Sequence, residues 1–228
     1  MLVKNWMNND FVTIKYGDSM QEAIRLLKEY QVELLPVMDK KKLVGVITDH
    51  DLKEASASKA TSLDANEVLY LISKIKVKDI MSKEPITVHA EPTIEETAQI
   101  LMDKNISGAP VVDDDGLVVG IISKTELFRV IISLTGVGAK RGIQFAFKVE
   151  DRPGSIKEVA DIIRKNGGRM ESILSTHKDV PAGYRKVYIR MYNIDRDKTQ
   201  QLRDELHGVA DLLYYVDHME NKREIFSP

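Results

Sequence analysis

The stretch GVITDHD (residues 45–51) is followed 75 residues later by GIISKTE (residues 120–126), with its glycine, hydroxyl residue and carboxylate in register. Each reads as an apolar strand running into a helix, with Thr48 and Asp51, or Ser123 and Glu126, at the junction. Two readings of that junction stand open. A hydroxyl three residues ahead of a carboxylate is a capping box, and the chain carries the same spacing at Ser19, Thr93 and Ser155. A hydroxyl beside free amides at a helix start also suits a phosphate, and a carboxylate one turn on can accept both hydroxyls of a ribose diol.

Working outward, a shift of 74 places Lys4-Asn5-Trp6-Met7 on Lys78-Asp79-Ile80-Met81, and Val12-Thr13-Ile14 on Ile86-Thr87-Val88. Ser19-x-x-Glu22 falls on Thr93-x-x-Glu96, and both start amphipathic helices. Met20, Ala23, Ile24 and Leu27 form one apolar face, repeated by Ile94, Thr97, Ala98 and Leu101. An apolar strand follows in each, LLPVMD or GAPVVD, then a polar hairpin turn at residues 40–42 or 114–116 and a second strand. Each unit spans about sixty residues and recurs as a duplicated module. Leu35-Pro36 and Ala109-Pro110 would supply flat apolar surface for a base. His50, Lys53 and Lys124 either add charge toward phosphates or remain solvated surface residues.

Residues 56–67 read as a polar loop and 68–75 as a short helix. Residues 135–142 form a glycine-rich linker whose Gly136-x-Gly138 follows a helix, where a dinucleotide loop must follow a strand. Beyond it, Ile143, Phe145, Phe147 and Val149 alternate as a half-buried strand. A Pro-Gly turn, a helix over Ile156, Val159, Ala160 and Ile163, strands near 169–176 and 184–192, a helix near 199–206 and a strand at 211–216 complete βαββαβ, the ferredoxin-like order. The fold class is therefore α/β (α+β), with domains at 1–58, 75–134 and 143–218, linkers at 59–74 and 135–142, and a tail at 219–228.

Thirty-three basic and thirty-five acidic residues give a net charge of −2, so no global field draws the chain to nucleic acid or anionic lipid, and no basic recognition helix is evident. The absence of cysteine excludes disulfides, thiolate metal sites and a cysteine nucleophile. No apolar run approaches the roughly twenty residues of a membrane span, and the N-terminus lacks the core of a signal peptide. A soluble cytoplasmic protein is expected. The five histidines show no i, i+3 or i, i+4 pair, and Asp113-Asp114-Asp115-Gly116 lacks the alternation of a calcium loop, so no metal is expected. Nucleophile elbow, P-loop and zinc-helix motifs are absent, so neither an enzyme nor a catalytic cofactor is expected.

The stretches VKDIMSKEPITV and GAPVVDDDGLVVGIIS, with the Thr/Ser-x-x-Asp/Glu ends, resemble cystathionine-β-synthase-type (CBS) domains. The resemblance implies a Bateman module with two clefts for adenosine ligands such as AMP, ATP, NAD or S-adenosylmethionine, AMP or ATP first. It implies that Thr48 and Ser123 touch phosphate, Asp51 and Glu126 hold ribose, and Val12, Thr13, Ile86 and Thr87 meet the adenine. Glu126 stands where the family usually has Asp, and its extra methylene predicts a second cleft that binds weakly or not at all. KVEDRPGSIKEVADII resembles an ACT domain and implies an amino-acid site at a dimer interface around Asp151, Pro153, Gly154, Ser155 and Ile156. Ser155 at that turn is alternatively a plain helix cap. Asp151 and Val149 depart from the Asn and polar residue of amino-acid-binding relatives. The whole order resembles the acetoin-utilisation protein AcuB family and implies a homodimeric allosteric regulator of a metabolic partner in acetoin or acetate use. The alternative is an assembly module without a physiological ligand.

Overall fold

Ser19 opens helix α1 (Met20–Glu29) by accepting the Glu22 amide at 3.2 Å, and Met20, Ala23, Leu26 and Leu27 turn inward. Strand β1 (Ile14–Lys15) precedes it, and β2 (Leu34–Asp39), β3 (Lys42–Thr48) and helix α2 (Asp49–Ala57) follow. The computed structural model describes residues 1–57, 72–137 and 142–226. The expected loop at 56–67 lies largely outside the described residues, except that α2 includes 56 and 57. Of the expected helix at 68–75, only 72–75 are described, and 72–74 are helical. Residues 138–141 of the linker at 135–142 also lie outside.

The second repeat begins with the short helix α3 (Val77–Ile80) and β4 (Ser82–Lys83). It continues through β5 (Val88–His89), α4 (Ile94–Asp103), β6 (Gly108–Val112), β7 (Val118–Ser123) and α5 (Lys124–Thr135). Thr93 caps α4 reciprocally, accepting the Glu96 amide at 3.2 Å while its own amide donates to Glu96 at 2.7 Å. The Asp113 carboxylate accepts the Asp115 and Leu117 amides and so closes the hairpin turn.

The repeats exchange their opening segments. Sheet one runs β1-β2-β3-β4, so its edge strand comes from the start of the second repeat, while sheet two is β5-β6-β7. Asn8, at the chain's start, exchanges two backbone hydrogen bonds with Ile121, and Leu2 bridges Thr93. The first repeat's sheet and core therefore take in residues from the start of the second. The reason is steric. A Cβ on Gly45 would lie 2.7 Å from Met81 Sδ, and one on Gly120 would lie 2.7 Å from Met7 Sδ. Each motif glycine is the floor on which the other repeat's methionine lies. Met81 accordingly belongs to the first repeat's core, with Ile14, Met20, Leu35, Val37 and Ile47.

The chain divides into two compact units, Met1–Arg129 and Val130–Pro228. In the second, β8 (Ile143–Glu150), α6 (Ser155–Lys165), β9 (Arg169–Thr176), β10 (Tyr184–Tyr192), α7 (Thr199–His207) and β11 (Asp211–Asp217) follow the βαββαβ order. The sheet runs β12-β11-β8-β10-β9, antiparallel throughout. Ile143, Phe145, Phe147 and Val149 all enter one core with Val159, Ile163, Leu202 and Leu206. One expectation is corrected: residues 219–228 are not simply a tail, because Lys222–Ile225 pairs with β11 as a fifth strand, β12. Its alternation is too short and too polar to read as a strand without its partner.

Candidate functional site

At the end of β3, the Thr48 amide donates to Asp51 Oδ2 at 2.7 Å and the Thr48 hydroxyl to the same oxygen at 2.6 Å. The Asp51 amide returns a long bond to Thr48 Oγ1 at 3.4 Å. The second junction repeats this, with the Ser123 amide donating to Glu126 Oε2 at 3.0 Å, the Ser123 hydroxyl donating to the same oxygen, and the Thr125 amide donating to Ser123 Oγ at 3.2 Å. Both motifs are helix caps. Each cap uses only one carboxylate oxygen. Asp51 Oδ1 accepts the Ser82 hydroxyl at 3.0 Å, and Glu126 Oε1 accepts Arg129 Nη1 at 2.9 Å. The two readings of the motif are therefore compatible, since the outer oxygen is not needed by the helix.

The partners of those outer oxygens differ in strength of hold. Ser82 is a neutral, exposed hydroxyl on β4. Arg129 is a guanidinium whose side chain is 65% exposed, so its ion pair with buried Glu126 is only partly screened. Around Glu126 lies a cavity of ≈ 120 Å³ lined by Asn8, Glu33, Ser123, Thr125 and Arg129, among others. Across it, the Thr125 hydroxyl donates to Glu33 Oε1 at 2.6 Å, joining the two repeats.

The remaining expected residues divide. Val12 is half-buried and Thr13, Ile86 and Thr87 are exposed, all just ahead of two-residue strands that pair in parallel with β2 and β6. Leu35 and Ala109 are wholly enclosed, Leu35 within the core, and Pro36 and Pro110 are buried beside them. Both members of each pair are thus covered by protein, and strand alternation does not separate them. His50 and Lys124 are exposed, and Lys53 pairs with Asp49 on its own helix.

In the C-terminal unit, Asp151 accepts Arg185 Nε at 2.8 Å and lies 3.0 Å from His177 Nε2. Arg185, then His177, hold its carboxyl below the usual range. Pro153 and Gly154 are exposed, Ile156 packs on the core, and Gly154, at φ +92°, occupies the cap position. Ser155 is the first helical residue rather than the cap, and its hydroxyl donates to the Arg152 carbonyl at 3.1 Å. A polar cavity of ≈ 500 Å³ takes in Ser155 with Lys148, Arg152, Glu158, His207 and Asp211, and not Asp151, Pro153 or Gly154.

Sequence reading missed Asn8, Ser82, Glu33, Thr125 and Arg129. Asn8 and Ser82 were within reach, being the next aligned pair after Met7 and Met81. The other three carried no signal, because their counterparts Ser107, His50 and Glu54 have different chemistry. Among the described residues no cluster of three His, Asp or Glu could hold a metal, and no helix is long and apolar enough to cross a membrane.

Residues 3–58 and 77–133 match the CBS domain family. A CBS domain-containing protein of Dictyostelium discoideum is 29% identical over 59% of this chain and 93% of its own length. The inosine-5′-monophosphate dehydrogenase of Korarchaeum cryptofilum is 32% identical over 55% of this chain, which spans only 23% of that enzyme. A CBS domain pair solved with 5′-methylthioadenosine and S-adenosyl-L-methionine is 31% identical, covers 57% of this chain and 99% of its own, and has a TM-score of 0.50.

Proposed function

Because this chain belongs to the CBS-domain family, we propose that its tandem pair senses an adenosine ligand and that the chain is a non-catalytic regulator. The reading rests on one observation: each cap leaves a carboxylate oxygen, Asp51 Oδ1 or Glu126 Oε1, engaged only by a displaceable side chain. A ribose diol can take that oxygen while the helix start stays intact. In this reading Asp51 and Glu126 hold the ribose, Thr48 and Ser123 flank its 5′ end, and Thr13, Ile86 and Thr87, exposed ahead of their strands, meet the base.

We extend the proposal to the C-terminal unit, as an ACT-type module over 143–218 that mediates a homodimer and takes an amino acid near its Pro-Gly turn. Its βαββαβ order and the left-handed Gly154 support this. A role in acetoin or acetate utilisation rests on the likeness of the whole domain order to the AcuB family. Ligand binding regulates only if it favours one arrangement of the chain over another.

The test is thermal unfolding with AMP, ATP, NAD, S-adenosyl-L-methionine and 5′-methylthioadenosine. At a hundred times its dissociation constant, a ligand of the folded state adds about 2.7 kcal/mol, a rise of several degrees. Asp51→Ala with Glu126→Ala should abolish the rise. No response to any of the five would refute the sensor and leave an assembly module.

A further inference from the structure

The two strand-to-helix junctions share a motif but differ in the charges that stand beside it. In the second, Glu33 reaches across from the first repeat and takes the Thr125 hydroxyl at 2.6 Å. The other donors at the start of α5 are likewise held by protein oxygens, the Lys124 amide by the Ser107 carbonyl at 2.9 Å, the Thr125 amide by Ser123 Oγ and the Ser123 hydroxyl by Glu126. The charged residues lining the cavity are Glu33, Glu126 and Arg129, two carboxylates against one guanidinium, and Arg129 is paired to Glu126. Lys124 is exposed and does not line it. The Thr125 hydroxyl at the start of α5 is thus engaged by an anion of the chain itself.

We propose that Glu33 makes the second cleft selective for adenosine compounds whose 5′ substituent is neutral or cationic, such as a thioether or sulfonium, and excludes 5′-phosphates. The inference rests on the adenosine reading above. A phosphate dianion at the start of α5 meets the Glu33 carboxylate at close range, where like charges repel, although Glu33 is exposed and solvent screens part of that repulsion. A neutral or sulfonium group leaves the Glu33–Thr125 bond in place. The cavity, at ≈ 120 Å³, is below the roughly 300 Å³ of ordinary ligand sites, so Arg129 must swing off Glu126 for a ribose to enter. Its exposure permits this. In the first cleft Ser107 stands at Glu33's place in the repeat and brings no charge, and Glu54 stands at Arg129's.

The full chain should be co-crystallised and titrated by calorimetry with 5′-methylthioadenosine, S-adenosyl-L-methionine and AMP. The first two are expected in the second cleft, with AMP confined to the first. Glu33→Gln keeps an acceptor for Thr125 and should raise AMP affinity at the second cleft by about tenfold or more, the scale of one charged contact. Affinity for 5′-methylthioadenosine should stay within about twofold. AMP filling the wild-type second cleft as tightly as 5′-methylthioadenosine, or an unchanged AMP affinity in Glu33→Gln, overturns the role of Glu33 while leaving the adenosine reading intact. Empty clefts with every compound overturn both.

Discussion

Replacing Gly45 by Ala tests whether the two repeats are one packed body. The added Cβ would stand 2.7 Å from Met81 Sδ, 3.2 Å from Met81 Cγ and 2.8 Å from the Ser82 carbonyl oxygen. The methionine can turn aside, but the carbonyl belongs to β4, which pairs with β3 at Gly45 and Val46. Relief therefore requires β4 to retreat, and with it the Ser82 hydroxyl that Asp51 accepts. Overpacking of this kind costs about 1–3 kcal/mol, and losing a hydrogen bond about 1 more. We expect Gly45→Ala to lose about 2–4 kcal/mol. Gly120→Ala meets the flexible Met7 at 2.7 and 2.9 Å but the Asn8 carbonyl only at 3.2 Å, so about 1–2 kcal/mol is expected there. Urea unfolding followed by fluorescence suits the comparison, because the sole tryptophan, Trp6, lies in the segment that crosses to the second repeat. A loss below about 0.5 kcal/mol for Gly45→Ala, or a larger loss for Gly120→Ala, would refute the packing argument.

Three further outcomes are expected. Thr48→Ala and Ser123→Ala should each cost about 1 kcal/mol by calorimetric unfolding, as lost caps; no change would mean that neither hydroxyl caps. Asp217 has no exposed surface, and although burial works to raise its pKa, Arg196 and the amides of Glu220 and Met219 bring it below the ordinary value. Its stabilisation is therefore present above the usual carboxylate range and lost as pH falls through the lowered value. Asp217→Asn should lose about 2 kcal/mol at pH 7, with the gap to wild type closing below about pH 4, and a gap independent of pH would contradict the assignment. Burial, with Asp217 and Glu220 nearby, pushes the Tyr215 hydroxyl up to about 12. Stability should hold below the ordinary tyrosine range and fall as pH rises toward 12, and Tyr215→Phe should remove the last phenolate to appear in an ultraviolet titration. Simultaneous ionisation of all tyrosines near pH 10 would count against it.

Local chemistry was legible. The hydroxyls of Ser19 and Thr93 cap their helices as the spacing required, although only Thr93 completes the reciprocal box because the Glu22 carboxylate turns to Arg25. Ile143 to Val149 entered the core as alternation demands, and both outcomes depend on residues within one or two turns. The enclosure of Leu35 and Ala109 was not legible, since a residue's type does not say which side of a sheet is free. Strand β12 was invisible for a related reason, as an edge segment acquires its conformation from the strand it joins.

The spacing of hydroxyls, carboxylates and glycines by itself established a duplicated module and its four helix starts, because a cap is made by neighbours along the chain. Folding alone decided that Met7 lies on Gly120 and Met81 on Gly45, and that Glu33 reaches Thr125 from 92 residues away. Those contacts arise from steric fit and charge between distant segments, and no period along the chain encodes which distant segment will arrive.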